Sequence, residues 1–344
     1  KGNYKKKIKA KELWSAIIDC QIETGQPYML YADSCNKKSN QKNLGTIKSS
    51  NLCCEIIEYS NKDEYAVCNL ASIALPSCIN DGVFNFEKLR EIVRQLVLNL
   101  NMIIDKNFYP VPQTKKSNMK HRPVGIGVQG LADTYILMGY DFESNQAKEL
   151  NKLIFENIYY AAVDKSSDMA EEYGPYESYE GSPMSRGQFQ FDMWPSVELT
   201  AGLDWEALRK KVARTGIRNS LLTTVMPTAS TSQILGYNEC IEPFTSNMYT
   251  RRVLAGEFTV INKHLVQDLQ NLELWNEEMI EKIMYFRGSV QKIMDIPSEL
   301  RSKYKTAWEI KQKEIITQAA DRAPFICQSQ SMNVFVANPS YQIL

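Results

Sequence analysis

Histidine is scarce in this chain, with only His121 and His264 among 344 residues, and there is no CxxC pair. Neither histidine lies near two cysteines in sequence, which argues against a structural zinc site. Nucleophilic cysteine chemistry is also weakened, because its usual partner is a histidine. No charge of one sign is in excess. Forty basic residues balance forty acidic ones, so the electrostatic footprint of a nucleic-acid binder is missing and small molecules and proteins are the expected partners. The lysine-rich start, KGNYKKKIKAKE, reads as a solvated end. No stretch reaches the roughly 18 apolar residues of a membrane span, and the first residues lack the apolar core of a signal peptide. A soluble, cytoplasmic protein with no membrane partner is expected. There is no internal repeat and no low-complexity linker, so residues 1–344 are read as one domain or part of one. The chain does not open with methionine and stops at VANPSYQIL, just after an apolar run, which suggests an excised piece.

A hydrophobic content of 44% allows a large core. Helical spacing recurs in blocks. Leu13, Trp14, Ile17 and Ile18 share one face of a first helix that should stop near Gly25 and Pro27. Leu89, Ile92, Val93, Leu96, Leu100 and Ile103 mark a second, with Asn85 as its cap. Leu150, Leu153, Ile154, Ile158 and Ala162 mark a third, closed by Gly174 and Pro175. Trp205, Leu208 and Val212 belong to a short fourth, and Met279, Ile280, Ile283 and Met284 to a fifth. Tyr304, Trp308, Ile315 and Ala319 predict one long sixth. Between them, YAVCNLA, PVGIGV, SLLTTVM and MNVFV have the length and β-branched content of buried strands. Strands alternating with helices indicate an α/β protein with a largely parallel sheet, open or closed into a barrel. In such folds chemistry gathers at the carboxyl ends of the strands.

Gly125, Gly127 and Gly130 fit GxGxxG after a predicted strand, which taken alone suggests a dinucleotide. The motif also requires a second strand ending near an acidic residue about 20 positions on. Asp141 and Glu143 precede a helix instead. Glycines that let strand and helix backbones pack closely are the preferred reading.

The eight cysteines (Cys20, Cys35, Cys53, Cys54, Cys68, Cys78, Cys240 and Cys327) are spread too thinly for a disulfide framework, so free and mostly buried thiols are expected. Two of them are adjacent, in SSNLCCEIIEYS. Asn51, Cys53 and Glu55 alternate, so in an extended loop they would face one side while Leu52 and Cys54 face the other. That arrangement offers a ligand an amide, a carboxylate that can accept a proton, and a sulfur that can act as nucleophile or undergo one-electron oxidation. The alternative is a buried pair of thiols beside a capping asparagine. Cys68, inside the strand-like YAVCNLAS, would ordinarily be inert packing, but it would share the cavity if the loop folded back over the strand. MPTASTS follows a predicted strand and precedes QILG. Its backbone N–H groups and hydroxyls suit a phosphate, or equally an ordinary helix cap.

NLCCE, EYSNKDEYAVCNLAS, HRPVGIGVQGLAD, GPYESYEGSP and MPTASTSQILG, in this order, closely resemble the large (α) subunit of eukaryotic-type class I ribonucleotide reductase, from about the first helix to the last residue. The resemblance implies the second half of a ten-stranded α/β barrel with a central finger loop, part of one catalytic domain truncated at both ends. By position, Cys53 is similar to the thiyl-radical cysteine that takes hydrogen from C3′ of a ribonucleoside diphosphate. Glu55 matches the carboxylate that removes the 3′-hydroxyl proton, and Asn51 the amide that orients the ribose hydroxyls. Cys68 matches one half of the dithiol that reduces the sugar as the 2′-hydroxyl leaves as water. Thr228, Ala229, Ser230 and Thr231 match the loop that holds the diphosphate. No metal or cofactor is implied in this chain. A metal-containing small (β) subunit would supply the radical, thioredoxin or glutaredoxin the reducing equivalents, and a second large subunit the homodimer. The effectors, ATP and deoxynucleoside triphosphates, would bind outside it. A small-subunit groove is expected within residues 273–320.

Position 54 is usually threonine in close relatives and here is Cys54, whose thiol could quench a radical or form a disulfide. The family's nucleotide-sensing region, the partner of Cys68, the paired tyrosines and the C-terminal cysteines are expected outside this chain, so the piece alone should not turn over. Glycyl-radical enzymes also use adjacent cysteines, but no glycyl loop is visible and they lack the TAST segment. A partner-binding module of the same fold, without catalysis, is the other alternative.

Overall fold

The computed structural model describes residues 6–343, and the first five residues of the lysine-rich start lie outside it. Residues 6–14 are exposed.

Helix α1 (Ala10–Thr24) ends at Gly25, whose left-handed φ of 73° lets its N–H bond back to the Gln21 carbonyl. The expected face exists but is not buried: Leu13 and Trp14 are 49% and 52% exposed, and Ile18 alone is buried. Helix α2 (Ala32–Lys38) is short and polar. Asn85 caps α3 (Phe86–Lys106) by accepting from the Lys88 N–H. Its buried stripe is Leu89, Val93, Val97, Leu100 and Ile104, while Ile103 is largely exposed. Helices α4 (Pro112–His121) and α5 (Leu131–Leu137) flank a strand, and α6 (Asn145–Tyr173) runs from its Ser144 cap to Gly174. Helices α3 and α6 pack along each other and bury most of their apolar residues in the main core.

Helix α7 (Trp205–Thr215) is capped by Asp204, and α8 (Thr231–Leu235) is only five residues long. Then come α9 (Lys263–Asn271), α10 (Glu277–Tyr285), α11 (Ser298–Lys303) and α12 (Gln312–Arg322). Of the predicted long sixth helix only the half with Ile315 and Ala319 forms, as α12, while Tyr304 and Trp308 lie in the break after α11. In the break Glu309 Oε2 accepts from the Thr306 N–H and hydroxyl, and the Ala307 N–H bonds to the Phe244 carbonyl, so local and tertiary partners outcompete the helical ones. Leu265, Leu269, Ile283, Val290, Ile293 and Tyr304 form a second, smaller apolar cluster with residues of α9 and α10 at its centre.

Strand β1 (Leu70–Ala74) is followed by the hairpin β2 (Ile79–Asn80) and β3 (Val83–Phe84), turned at Asp81 and Gly82. Strand β4 (Gly125–Gln129) pairs parallel with β1 from Leu70↔Gly125 to Ala74↔Gln129. The sheet continues through parallel bridges, Ile126 to Thr223 and Val225 to Gln330. Four parallel segments thus lie side by side in an open sheet, an arc of a barrel. Strands β5 (Met248–Val253) and β6 (Gly256–Ile261) form a separate, largely exposed hairpin.

Two strand expectations need correction. YAVCNLA does not form a strand from its start. Ladder pairing begins only at Leu70, after Asn69 turns its side-chain amide to Asn118 Oδ1 and the Pro123 carbonyl, so Cys68 precedes the strand. MNVFV is not a strand either. Pairing falls on the polar stretch before it, where Val225 N–H bonds to the Ser329 carbonyl and Ser331 N–H to the Val225 carbonyl.

The glycines of the GxGxxG match serve packing. A Cβ on Gly127 would lie 2.6 Å from the Thr224 carbonyl oxygen and 2.8 Å from Met226 Sδ, and one on Gly125 2.5 Å from Thr224 Cγ2. Because the obstacle at Gly127 is backbone, it cannot swing aside. Gly127→Ala should lower unfolding stability by about 1–3 kcal/mol in chemical denaturation. A change smaller than ~0.5 kcal/mol would mean that the strands do not approach this closely.

Candidate active site

The segment after the adjacent cysteines is extended and lies against two strands. The Glu55 carbonyl accepts from the Thr224 hydroxyl at 2.6 Å and from the Ser329 N–H at 3.0 Å. The Ile57 N–H donates to Gln328 Oε1 at 2.9 Å. Residues 55–58 are buried throughout.

The cysteines themselves are not extended. Cys54 N–H bonds to the Asn51 carbonyl at 3.2 Å, and Cys54 has a φ of 66°, so residues 51–54 form a tight turn. The predicted alternation of faces therefore fails, because a chain reversing at the tip of a loop cannot keep a period of two. Leu52, at 87% exposure, stands out from the turn, Cys53 and Cys54 are half-buried, and Glu55 is buried. Asn51 Oδ1 accepts from the Ile56 N–H at 3.1 Å, which closes the turn and leaves the NH₂ end of the amide as what it can offer a ligand.

Electrostatics tie the group together. Burial, and next the Glu55 carboxylate, push the Cys53 thiol above its usual range. The same causes act on Cys54, with Cys53 adding to them. The Glu55 carboxylate therefore acts on both thiols of the turn. Cys68 is exposed as a residue, yet its thiol is also raised, first by burial, then by Glu58 and, more weakly, Glu55. The structure thus brings Cys53, Cys54, Glu55 and Cys68 into one electrostatic neighbourhood. Their thiols keep the S–H bond at neutral pH, the opposite of the depressed thiol that marks a nucleophilic cysteine.

The second expected element begins four residues beyond Thr224. Thr228 is buried with a φ of 56°, and its hydroxyl accepts from the Cys240 N–H at 2.8 Å. Ala229, Ser230 and Thr231 are exposed. Ser230 stands at the cap position of α8 without a side-chain cap bond, so its hydroxyl is not spent on the helix.

Both histidines face a carboxylate. His121 Nε2 lies 3.0 Å from Glu64 Oε2 and its Nδ1 2.6 Å from Ser178 Oγ. Burial opposes ionisation of Glu64, but hydrogen bonds from Lys120 and His121 hold it down at about 2. The carboxylate is shared with Lys120 and the ring is buried, so this group clamps three segments together. His264 Nε2 is 2.9 Å from Asp133 Oδ1. Among the described residues no group of three His, Cys, Asp or Glu is placed to hold a metal ion, and no helix is long and apolar enough to cross a membrane.

Sequence reasoning did not single out Thr224, Gln328, Ser329 or Glu58. The first three hold the finger through its backbone, which leaves no mark on residue type. Glu58 did leave one, as a carboxylate just after the apolar pair Ile56 and Ile57.

A family model described as the barrel domain of ribonucleotide reductase matches residues 1–344. The ribonucleoside-diphosphate reductase large chain of Schizosaccharomyces pombe is 58% identical over 98% of this chain and 41% of its own length. The large subunit of Danio rerio is 56% identical over 99% of this chain and 43% of its own. Among solved structures, the class Id ribonucleotide reductase alpha subunit of Actinobacillus ureae superposes with a TM-score of 0.75 at 28% identity, covering 96% of this chain and 56% of the other. The chain spans about two fifths of the length of the curated relatives it matches.

If Glu55 faces the turn, alkylation of Cys53 by iodoacetamide should rise with a midpoint above that of free cysteine, and Glu55→Gln should bring the midpoint down. An unmoved midpoint would separate the carboxylate from the thiols.

Proposed function

The chain belongs to the ribonucleotide reductase barrel-domain family, and from that premise we propose that it is the finger-loop half of a ribonucleoside-diphosphate reductase catalytic barrel. It acts, as part of the intact large subunit, in thiyl-radical reduction of ribonucleoside diphosphates to deoxyribonucleotides. The observation that carries this reading is the junction at the Glu55 carbonyl. It fixes the thiol turn to the strand that leads into the hydroxyl loop. The four residue steps from Thr224 to Thr228 span at most about 13 Å, comparable to the length of a nucleoside diphosphate.

In this scheme Cys53, as a thiyl, takes the hydrogen atom from C3′ to become a thiol, and returns a hydrogen atom to C3′ at the end, which regenerates the thiyl. Glu55 accepts the 3′-hydroxyl proton, which eases departure of the 2′-hydroxyl as water. Cys68 and its partner thiol supply two electrons and close to a disulfide. Asn51 orients the ribose hydroxyls through its NH₂ group, and the backbone and hydroxyls of Thr228, Ala229, Ser230 and Thr231 hold the diphosphate. The raised thiols support radical rather than nucleophilic chemistry, since a thiyl forms from an S–H bond. A small radical-generating subunit is the implied partner. Exposed Met284, Tyr285, Met294, Trp308 and Ile316 support a docking face for it within residues 273–320. Pairing with a second large subunit, re-reduction by thioredoxin or glutaredoxin, and effector binding outside this chain complete the proposal.

In the full-length enzyme with its small subunit, Cys53→Ala should abolish deoxynucleotide formation, and Glu55→Gln should slow it by roughly 10²–10⁴-fold. Activity retained in either variant would refute the roles assigned. A nucleoside diphosphate diffused into crystals of the intact protein should bring its phosphates to residues 228–231. Density elsewhere would remove the loop from the site.

A further inference from the structure

Glu58 takes no part in the scheme above, yet its environment is unusual for a carboxyl. It is 5% exposed, and neither carboxylate oxygen has a hydrogen-bond partner. The Val67 N–H and the Gln328 side chain approach the carboxyl. Neither meets hydrogen-bond geometry with it, and Gln328 is already engaged through Oε1 with the Ile57 N–H. Val67 immediately precedes Cys68, so the carboxyl sits beside the backbone that carries that thiol.

We propose that Glu58 is the proton donor to the Cys68 sulfur when the disulfide containing it is reopened. This rests on the reading of Cys68 as one half of the reducing dithiol. In the step, a thiolate of a dithiol reductant attacks the sulfur bonded to Cys68 and forms a mixed disulfide with that partner cysteine, the original S–S bond breaks, and Cys68 leaves as a thiolate with the bonding pair. The Glu58 carboxyl transfers its proton to that sulfur. The carboxylate left behind regains a proton from solvent, which has received one from the attacking thiol. The reductant's second thiol then attacks the mixed disulfide, closing the reductant's own disulfide and freeing the partner cysteine as a thiol, so the reductant is oxidised by two electrons and the enzyme reduced by two.

A carboxyl can donate only if it keeps its proton in the working pH range, and isolation in an apolar setting makes it do so. Burial pushes Glu58 up to about 8 against the smaller pull of Gln328 and Val67. Among charged groups, Glu58 acts on the Cys68 thiol more strongly than Glu55. Glu55 lies on the same extended segment and is assigned to the substrate hydroxyl. The strand bearing Gln328 brings a neutral amide against the carboxyl. Ionised, Glu58 would both lose its proton and repel the departing thiolate, so the donor form is the one below about 8.

The test uses the intact large subunit, oxidised and treated with dithiothreitol, with recovery of the Cys68 thiol followed by rapid alkylation. Rates are normalised to the reductant's thiolate fraction. The wild-type rate should fall as pH rises through about 8. Glu58→Gln should lower the rate ~10-fold or more and remove that fall. Glu58→Asp, which keeps a donor, should retain a pH-dependent fall at a shifted midpoint and serves if the glutamine variant does not fold. A glutamine variant with the wild-type rate and profile, or an aspartate variant without any such fall, would overturn the proposal. Deoxynucleotide formation by Cys68→Ser with its small subunit would instead overturn the reading beneath it.

Discussion

The carbonyl oxygen of Glu55 is the joint on which the site depends. It accepts two hydrogen bonds, from the Thr224 hydroxyl and the Ser329 N–H, and so links the finger to two neighbouring strands of the parallel sheet. A buried carbonyl with both lone pairs engaged is hard to move, because any displacement leaves polar groups unsatisfied out of reach of water. Thr224 is itself fixed from the far side, where Gly127 admits its carbonyl at a distance no side chain would allow. The glycines that mimic a dinucleotide fingerprint therefore contribute to the thiol site through three contacts in series. They close the gap between strands, hold Thr224, and let Thr224 hold the finger.

What hangs from that joint is a set of acids in a setting that resists charge. The thiols at 53, 54 and 68 and the carboxyl of Glu58 are all raised, each with burial as the leading cause. Chemistry that begins from a thiolate would be poorly served here. Chemistry that removes a hydrogen atom from sulfur, or passes a proton to it, needs groups that remain protonated at neutral pH. The same burial supplies them.

Much of the fold was legible. Asn85, Ser144, Gly25 and Gly174 punctuate helices where capping physics puts them, and the parallel arrangement follows from strands alternating with helices. The break between α11 and α12 was not legible, since Glu309 and the Phe244 carbonyl act through contacts that periodicity cannot register. Nor was the strand at 329–331, because its residues are polar while the apolar MNVFV beside it carries the usual signal. At the site, residue types and family motifs are the whole basis for the proposed positions. The geometry differed: alternation assumed an extended chain, and a loop tip demands a turn.

That turn also bears on the cysteine at position 54. Consecutive Cα atoms are about 3.8 Å apart, short of the roughly 4.4–6.8 Å that an unstrained disulfide spans. The pair accordingly stands as two free thiols, and burial, followed by Glu55, keeps both protonated and so disfavours the thiolate that would start exchange. Hydrogen transfer between two thiols is a different matter, because it breaks and forms the same kind of bond and is close to neutral in energy. Bond strength would therefore not confine the proposed radical to Cys53. Confinement would have to come from position within the turn, where Cys54 has a positive φ. Cysteine, with no branch at Cβ, accepts that backbone conformation at less cost than threonine would, so the residue that adds a second thiol also suits the turn that carries it.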